Sequence, residues 1–160
     1  MDWQATRPGE TCAPLPDRQD AHVVFIGRLR TPFASRDQCP RRGDAENGPV
    51  CRVEIDEPWR TALTGIDGFQ ELDLLYWMHL ARRDLVTQTP RGGQPLGTFA
   101  LRSPVRPNPI ALSRVRLLGV EDGALLVRGL DCLDGTPLLD IKPHHCRHAA
   151  AERGPRHAQS

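Results

Sequence analysis

The chain has 160 residues, 39% hydrophobic and 26% charged, which suits one folded domain. No run of about 18 apolar residues appears, so a helical membrane span is excluded, and Met1 to Gln4 opens no signal-peptide pattern. A formal net charge of +1 gives no bulk basicity that would mark a nucleic-acid binder.

The distribution of charge says more. Lys142 is the single lysine, so the positive charge is almost all arginine, whose planar fork pairs with phosphate and carboxylate. Fifteen prolines and fourteen glycines favour a strand- and loop-rich fold over a helical bundle. Cys12, Cys39, Cys51, Cys132 and Cys146 form no C-x-x-C pair, and their odd number fits reduced thiols and a cytoplasmic setting.

In chain order, residues 1 to 20 are polar and proline-bearing and read as a loose arm. His22 to Gly27 is β-branched and aromatic and predicts a first strand. Residues 34 to 48 form a polar loop long enough to be functional. Val50 to Ile55 alternates and predicts a half-buried strand. Glu57 to Leu63 suits one or two helical turns, and Gly65 to Gly68 a turn. Leu72 to Leu80 is nearly all apolar and predicts a central strand buried on both faces, although period alone leaves a helix open. Leu96 to Arg102 reads as a short strand. Ile110 to Leu118 reads as another, with Arg114 and Arg116 on one face and Ser113, Val115 and Leu117 on the other. Asp122-Gly123 is a hairpin signal, Ala124 to Leu130 the returning strand, and Thr136 to Ile141 the last one. The pattern is all-β and leaves barrel or sandwich open.

Two motifs stand out. Arg102-Ser103-Pro104-Val105-Arg106-Pro107-Asn108-Pro109 carries three prolines and two arginines in a stiff loop. Leu130-Asp131-Cys132-Leu133-Asp134-Gly135-Thr136-Pro137 sets two carboxylates beside a tight turn. With the flanking apolar runs, from Val24 to Pro143, the chain resembles the TrmO/TsaA-like family. That resemblance implies a compact β-barrel with long loops. It further implies an S-adenosylmethionine (SAM)-dependent methyltransferase that acts on N6 of threonylcarbamoyladenosine at position 37 of tRNA, beside the anticodon. A homodimer is also implied. The expected division is a barrel domain over 21–143 between the arm at 1–20 and a disordered tail at 144–160. Many members of the family carry a second domain, which a chain ending at Ser160 is expected to lack.

The resemblance also assigns residues. Arg102, Leu112 and Asp131 are expected to hold SAM, with Met78, His79, Arg128, Gly129 and Leu130 beside them. The loop residues Arg42, Gly43 and Asp44 are expected near it, on the weaker match Pro40-Arg41-Arg42-Gly43. Asp131 and His79 are the two residues expected to be catalytic, because the acceptor nitrogen must lose a proton. Arg106 and Asn108 share the proline loop and are expected to face the substrate nucleotide, against the plainer reading that they cap the turn. Arg28, Arg30, Arg41, Arg42, Arg82, Arg83, Arg106, Arg114 and Arg116 are expected to offer a basic surface to RNA. No glycine-rich strand-to-helix fingerprint is present, so SAM binding here cannot be of the Rossmann kind. His144-His145-Cys146-Arg147-His148 is read as a tail without a metal, because defined zinc sites usually pair ligands across a loop. The alternatives are a non-catalytic barrel that binds a small ligand such as SAM in a regulatory or scaffold role, or a methyltransferase for a different acceptor.

Overall fold

The computed structural model describes residues 5–15 and 21–145. Its strands are β1 (Thr11–Cys12), β2 (Gly27–Arg30), β3 (Cys51–Ile55), β4 (Glu71–Trp77), β5 (Leu85–Gln88), β6 (Leu96–Gly97), β7 (Ile110–Glu121), β8 (Ala124–Arg128) and β9 (Thr136–Pro143). Three short 3₁₀ segments, Trp59–Leu63, Ile66–Gly68 and Thr98–Ala100, complete the regular structure.

Six strands close into a barrel in the order β2-β3-β8-β7-β4-β9, and every neighbouring pair is antiparallel. Closure leaves no unpaired strand edge in this sheet. Alternation supplies the interior: Leu29, Val53, Leu72, Leu74, Tyr76, Val115, Leu125, Val127 and Leu138 are buried at its centre. Each such aliphatic side chain contributes about 1.5–3 kcal/mol relative to exposure. The β7–β8 hairpin turns at Asp122 and Gly123 with φ of 49° and 73°, as a two-residue Asp-Gly loop requires. Outside the barrel, β1, β5 and β6 form a small three-stranded sheet.

Four expectations change. The first strand lies at Gly27–Arg30, not at His22–Gly27; Val23, Val24 and Phe25 stay exposed. The barrel selects the segment that pairs with both β3 and β9, with Leu29 inward and Arg28 and Arg30 outward. β4 is buried on one face only: Leu72, Leu74 and Tyr76 point in while Asp73, Leu75 and Trp77 remain partly exposed. Leu96 to Arg102 holds two strand residues and then a 3₁₀ turn. The arm at 1–20 is not loose where it is described, since β1 pairs with β5 and Thr11 N–H donates to Thr87 Oγ1 at 2.8 Å. Within the tail at 144–160, residues 146–160 lie outside the described residues.

Tyr76 is the only tyrosine in the chain, which makes it a spectroscopic probe of the core. Burial, with the Asp131 charge adding to it, pushes its phenol far above the usual tyrosine range. A raised acid pKa contributes stability that is complete below the unfolded value, about 10, and is lost as pH rises beyond it. A spectrophotometric titration is therefore expected to show no tyrosinate band near 295 nm until alkaline unfolding, after which the band appears together with loss of the β-sheet circular dichroism signal.

Candidate active site

The two motifs and the 34–48 loop meet around an open cleft of about 1450 Å³. Single small-ligand pockets occupy about 300–1,000 Å³, so the cleft has room for a ligand of that size and part of a second one. Its lining carries Arg36, Arg41, Arg42, Arg102, Arg106 and Arg114 against Asp44, Glu71 and Asp131. Six guanidiniums against three carboxylates make it cationic inside a nearly neutral chain, which suits an anionic partner.

The proline loop is braced from below. Buried Gln88 donates from Nε2 to Thr98 Oγ1 at 3.0 Å and to the Val105 carbonyl at 2.8 Å. Arg83 Nε donates to the Pro107 carbonyl, and the guanidinium lies 5.4 Å from the Trp77 ring centre. Arg102 is exposed and, among the described residues, gives one hydrogen bond, from Nη2 to the Leu112 carbonyl at 3.3 Å. Arginine carries five N–H donors, so most of its fork remains for a ligand. Arg106 instead caps the loop, with Nη1 donating to the carbonyls of Leu101 (2.6 Å) and Ser103 (3.4 Å) and its guanidinium 5.6 Å from the Phe99 ring centre.

Asp131 is held from the barrel interior. Its Oδ1 accepts from Tyr76 Oη at 2.9 Å and from Ser113 Oγ at 3.3 Å, while the two hydroxyls lie 2.8 Å apart. Among the described residues Oδ2 takes no hydrogen bond. Two strands thus hold one carboxylate oxygen and leave the other for the cleft. Tyr76 and Ser113 both line the cleft, and neither was an expected site residue. Tyr76 was hidden in an apolar run; only its hydroxyl, which needs a partner once buried, hinted at it. Gln88 was missed likewise, because a polar residue in a short strand carries no motif.

The 40–48 loop is fastened through glycine. A Cβ on Gly43 would lie 1.8 Å from the Gly129 carbonyl oxygen, so the two backbones touch. Gly129 itself has φ of 112°, outside the range of ordinary L residues. Asp44 Oδ1 accepts from the Glu46 and Asn47 N–H groups, both at 2.9 Å, and these two bonds hold its carboxyl below the usual range. Arg128 Nη1 donates to the Glu46 carbonyl at 3.0 Å, and Arg116 pairs with the Glu46 carboxylate at 3.0 Å.

Of the expected site residues, the cleft brings together Arg42, Gly43, Asp44, Met78, His79, Arg102, Arg106, Leu112, Gly129 and Asp131. Leu112 is 46% exposed there, and His79 is exposed just beyond β4. Three residues fall elsewhere. Leu130, between Gly129 and Asp131 in sequence, is a core side chain, 1% exposed, and packs in the barrel's hydrophobic cluster. Arg128 reaches the 40–48 loop instead of the cleft, and Asn108 serves the turn, its carbonyl accepting from Ile110 N–H at 2.8 Å. Arg102 and Asp131 bond to other partners and not to each other. The expected basic surface is divided: Arg30 pairs with Glu54 and Arg82 with Asp84, and Arg114, although it lines the cleft, pairs with Asp73.

Comparison with known proteins agrees with this architecture. Residues 28–148 match the family described as the tRNA-methyltransferase O N-terminal domain. A protein of Rhizobium radiobacter, named "Probable S-adenosyl-L-methionine-binding protein VirR", is 50% identical over 138 residues, 86% of this chain and 78% of its own length. An Archaeoglobus fulgidus protein named "S-adenosyl-L-methionine-binding protein" is 39% identical over 120 residues, 74% of this chain and 86% of its own. The crystal structure of TrmO from Pseudomonas aeruginosa superposes with a TM-score of 0.67 at 32% identity, covering 90% of this chain but 62% of that one. This chain therefore spans less than two thirds of that solved structure. With a closed six-stranded barrel and a match across three quarters of its length, the chain belongs to the tRNA-methyltransferase O N-terminal domain family.

Proposed function

We propose that this chain is a SAM-dependent methyltransferase acting on N6 of threonylcarbamoyladenosine at position 37 of tRNA. The observation that carries the reading is the cationic cleft in which Arg102 and Asp131 converge with the 40–48 loop. The residues fit the cofactor. Arg102 has free donors for a bidentate pair with an amino-acid carboxylate. Asp131 Oδ2 is available to accept from an ammonium group or a ribose diol. Leu112 and Met78 supply apolar wall. When bound, SAM supplies an electrophilic methyl group on a sulfonium. The protein's own contribution is position, since holding the donor in line with the acceptor removes much of the barrier.

The acceptor nitrogen is urea-like and must lose its proton on methylation. Asp131 and His79, both in the cleft lining, are the groups we propose to take it. Asp131→Asn keeps the shape and an acceptor oxygen for Tyr76 but removes the charge. Retained SAM binding with lost turnover in that variant assigns the proton to Asp131; retained turnover excludes Asp131, and loss of turnover in His79→Ala would then assign it to His79.

The arginine lining of the cleft suits the tRNA backbone. Affinity for tRNA is expected to fall as salt rises, with a log–log slope of about −0.7 for each single-strand phosphate neutralised. A binding isotherm that ignores salt would remove the cleft as the RNA surface. The reaction itself is tested by nucleoside mass spectrometry of tRNA incubated with the protein and SAM. The expected result is the mass of one added methyl group on threonylcarbamoyladenosine. Tight SAM binding without that product would favour the regulatory barrel. A second copy of the chain is proposed as partner on the family likeness, and the cytoplasm as its setting; no helix among the described residues is long and apolar enough to cross a membrane.

A further inference from the structure

A second group of chemistry-bearing side chains lies where β9 ends against the start of β4. Glu71, His144 and His145 each present one ligand atom, all within 4.8 Å of one another. We infer that these three residues form a binding site for a divalent transition-metal ion at the rim of the cleft.

The argument begins with His144. Its backbone N–H donates to the Glu71 carbonyl at 3.1 Å, one step beyond the Leu72 and Pro143 pair of the barrel ladder. Two of the ligands therefore stand on paired, regular backbone. The His144 ring is fixed as well, with Nδ1 3.1 Å from Asp73 Oδ2. Asp73 is held in turn by Arg114 Nε at 3.3 Å on Oδ1. A carboxylate on Nδ1 places the ring proton there and leaves the Nε2 lone pair outward. Metal-ligating histidines are oriented in the same way by an outer carboxylate. The His145 ring lies beside it, centroids 4.2 Å apart and planes at 53°, so the two imidazoles converge and do not stack.

Size and charge agree. Two metal–ligand bonds of about 2.1 Å at a tetrahedral angle set ligand atoms about 3.4 Å apart. Glu71 and His145 are exposed and can rotate that short way toward the fixed His144. Two carboxylates, Glu71 and Asp73, face one guanidinium, Arg114. The other nearby cations are held elsewhere: Arg116, opposite Glu71, pairs with Glu46, and Lys142, opposite Asp73, pairs with Asp140. Two imidazoles and one carboxylate suit zinc, cobalt, nickel or copper, and not calcium or magnesium, which prefer all-oxygen shells. Glu71 and Arg114 also line the cleft, so an ion here adds positive charge at its mouth and ties the end of β9 to β4. The inference does not depend on methyl transfer.

The test uses the full chain, stripped with EDTA, desalted, and titrated with Zn²⁺ by calorimetry and with Co²⁺ by visible absorption. One ion per chain is expected. Glu71→Gln and His144→Ala should each weaken binding about tenfold or more, and Asp73→Asn about 10- to 100-fold as an orienting partner. The double variant Cys146→Ser, His148→Ala should bind as the parent does. Thermal unfolding in EDTA checks that each variant remains folded, and exposed Glu71 is the substitution least able to disturb the barrel. Absence of binding in the parent overturns the inference. So does binding that survives Glu71→Gln and His144→Ala but is lost in the Cys146, His148 double variant, which would place the ion on the tail.

Discussion

Asp131→Ala is expected to weaken SAM binding about 10- to 150-fold and to abolish methyl transfer, with the barrel still folded. A hydrogen bond to a charged group is worth about 1.5–3 kcal/mol, and 1.4 kcal/mol is a factor of ten. The barrel survives because Tyr76 Oη keeps a second partner, Ser113 Oγ at 2.8 Å, so the buried phenol is not left unpaired. Tyr76→Phe should act through Asp131. The carboxylate then keeps only the 3.3 Å bond from Ser113, and SAM affinity should fall about 2- to 12-fold, the effect of one ordinary hydrogen bond of about 0.5–1.5 kcal/mol. Calorimetry on the three proteins decides. Parent-like binding by Asp131→Ala would remove the carboxylate from the cofactor site.

Gly43→Ala is the second large effect. The new Cβ would meet backbone, at 1.8 Å from the Gly129 oxygen and 2.4 Å from its carbonyl carbon, so no side-chain rotation relieves it. Overpacking of this kind costs about 1–3 kcal/mol. The 40–48 loop lies outside the barrel and is largely exposed, so it should move away from Gly129 and leave the barrel intact. SAM affinity is expected to drop about 5- to 150-fold with little change in the thermal midpoint. Gly27→Ala provides the contrast. Its Cβ would lie 1.9 Å from the Glu54 oxygen inside the β2–β3 ladder, so there the loss should appear in stability. Unchanged SAM binding by Gly43→Ala would mean that the loop is no wall of the cofactor site.

Parts of this architecture were legible from local chemistry. Asp122-Gly123 fits a two-residue hairpin because both residues tolerate positive φ, and the alternation of Ile110 to Leu118 put Val115 and Arg114 on opposite faces, of which the structure buries the Val115 face. The proline loop and the Asp131 motif carried the family resemblance, and the residues it pointed to, Arg102 and Asp131, line one cleft. What failed was decided by non-local pairing. Val23, Val24 and Phe25 have strand propensity, yet the barrel took Gly27–Arg30, since that segment has partners on both sides. Arg128 and Leu130 flank Gly129, a cleft residue, yet Arg128 reaches the 40–48 loop and Leu130 the core, while Asn108 is taken up by its turn. The Tyr76–Ser113–Asp131 contact joins residues 37 and 55 positions apart along the chain, with no local signal. The pairing of Glu71 with His144 likewise exists only because β4 and β9 are neighbours in the barrel.

The most direct test of the central claim is transfer of label from methyl-tritiated SAM to two tRNA preparations, one carrying threonylcarbamoyladenosine and one lacking the threonylcarbamoyl group. Label is predicted in the first alone, and in neither when Arg102→Ala or Asp131→Ala replaces the parent protein. Equal labelling of both preparations, or labelling that survives both substitutions, would contradict the account.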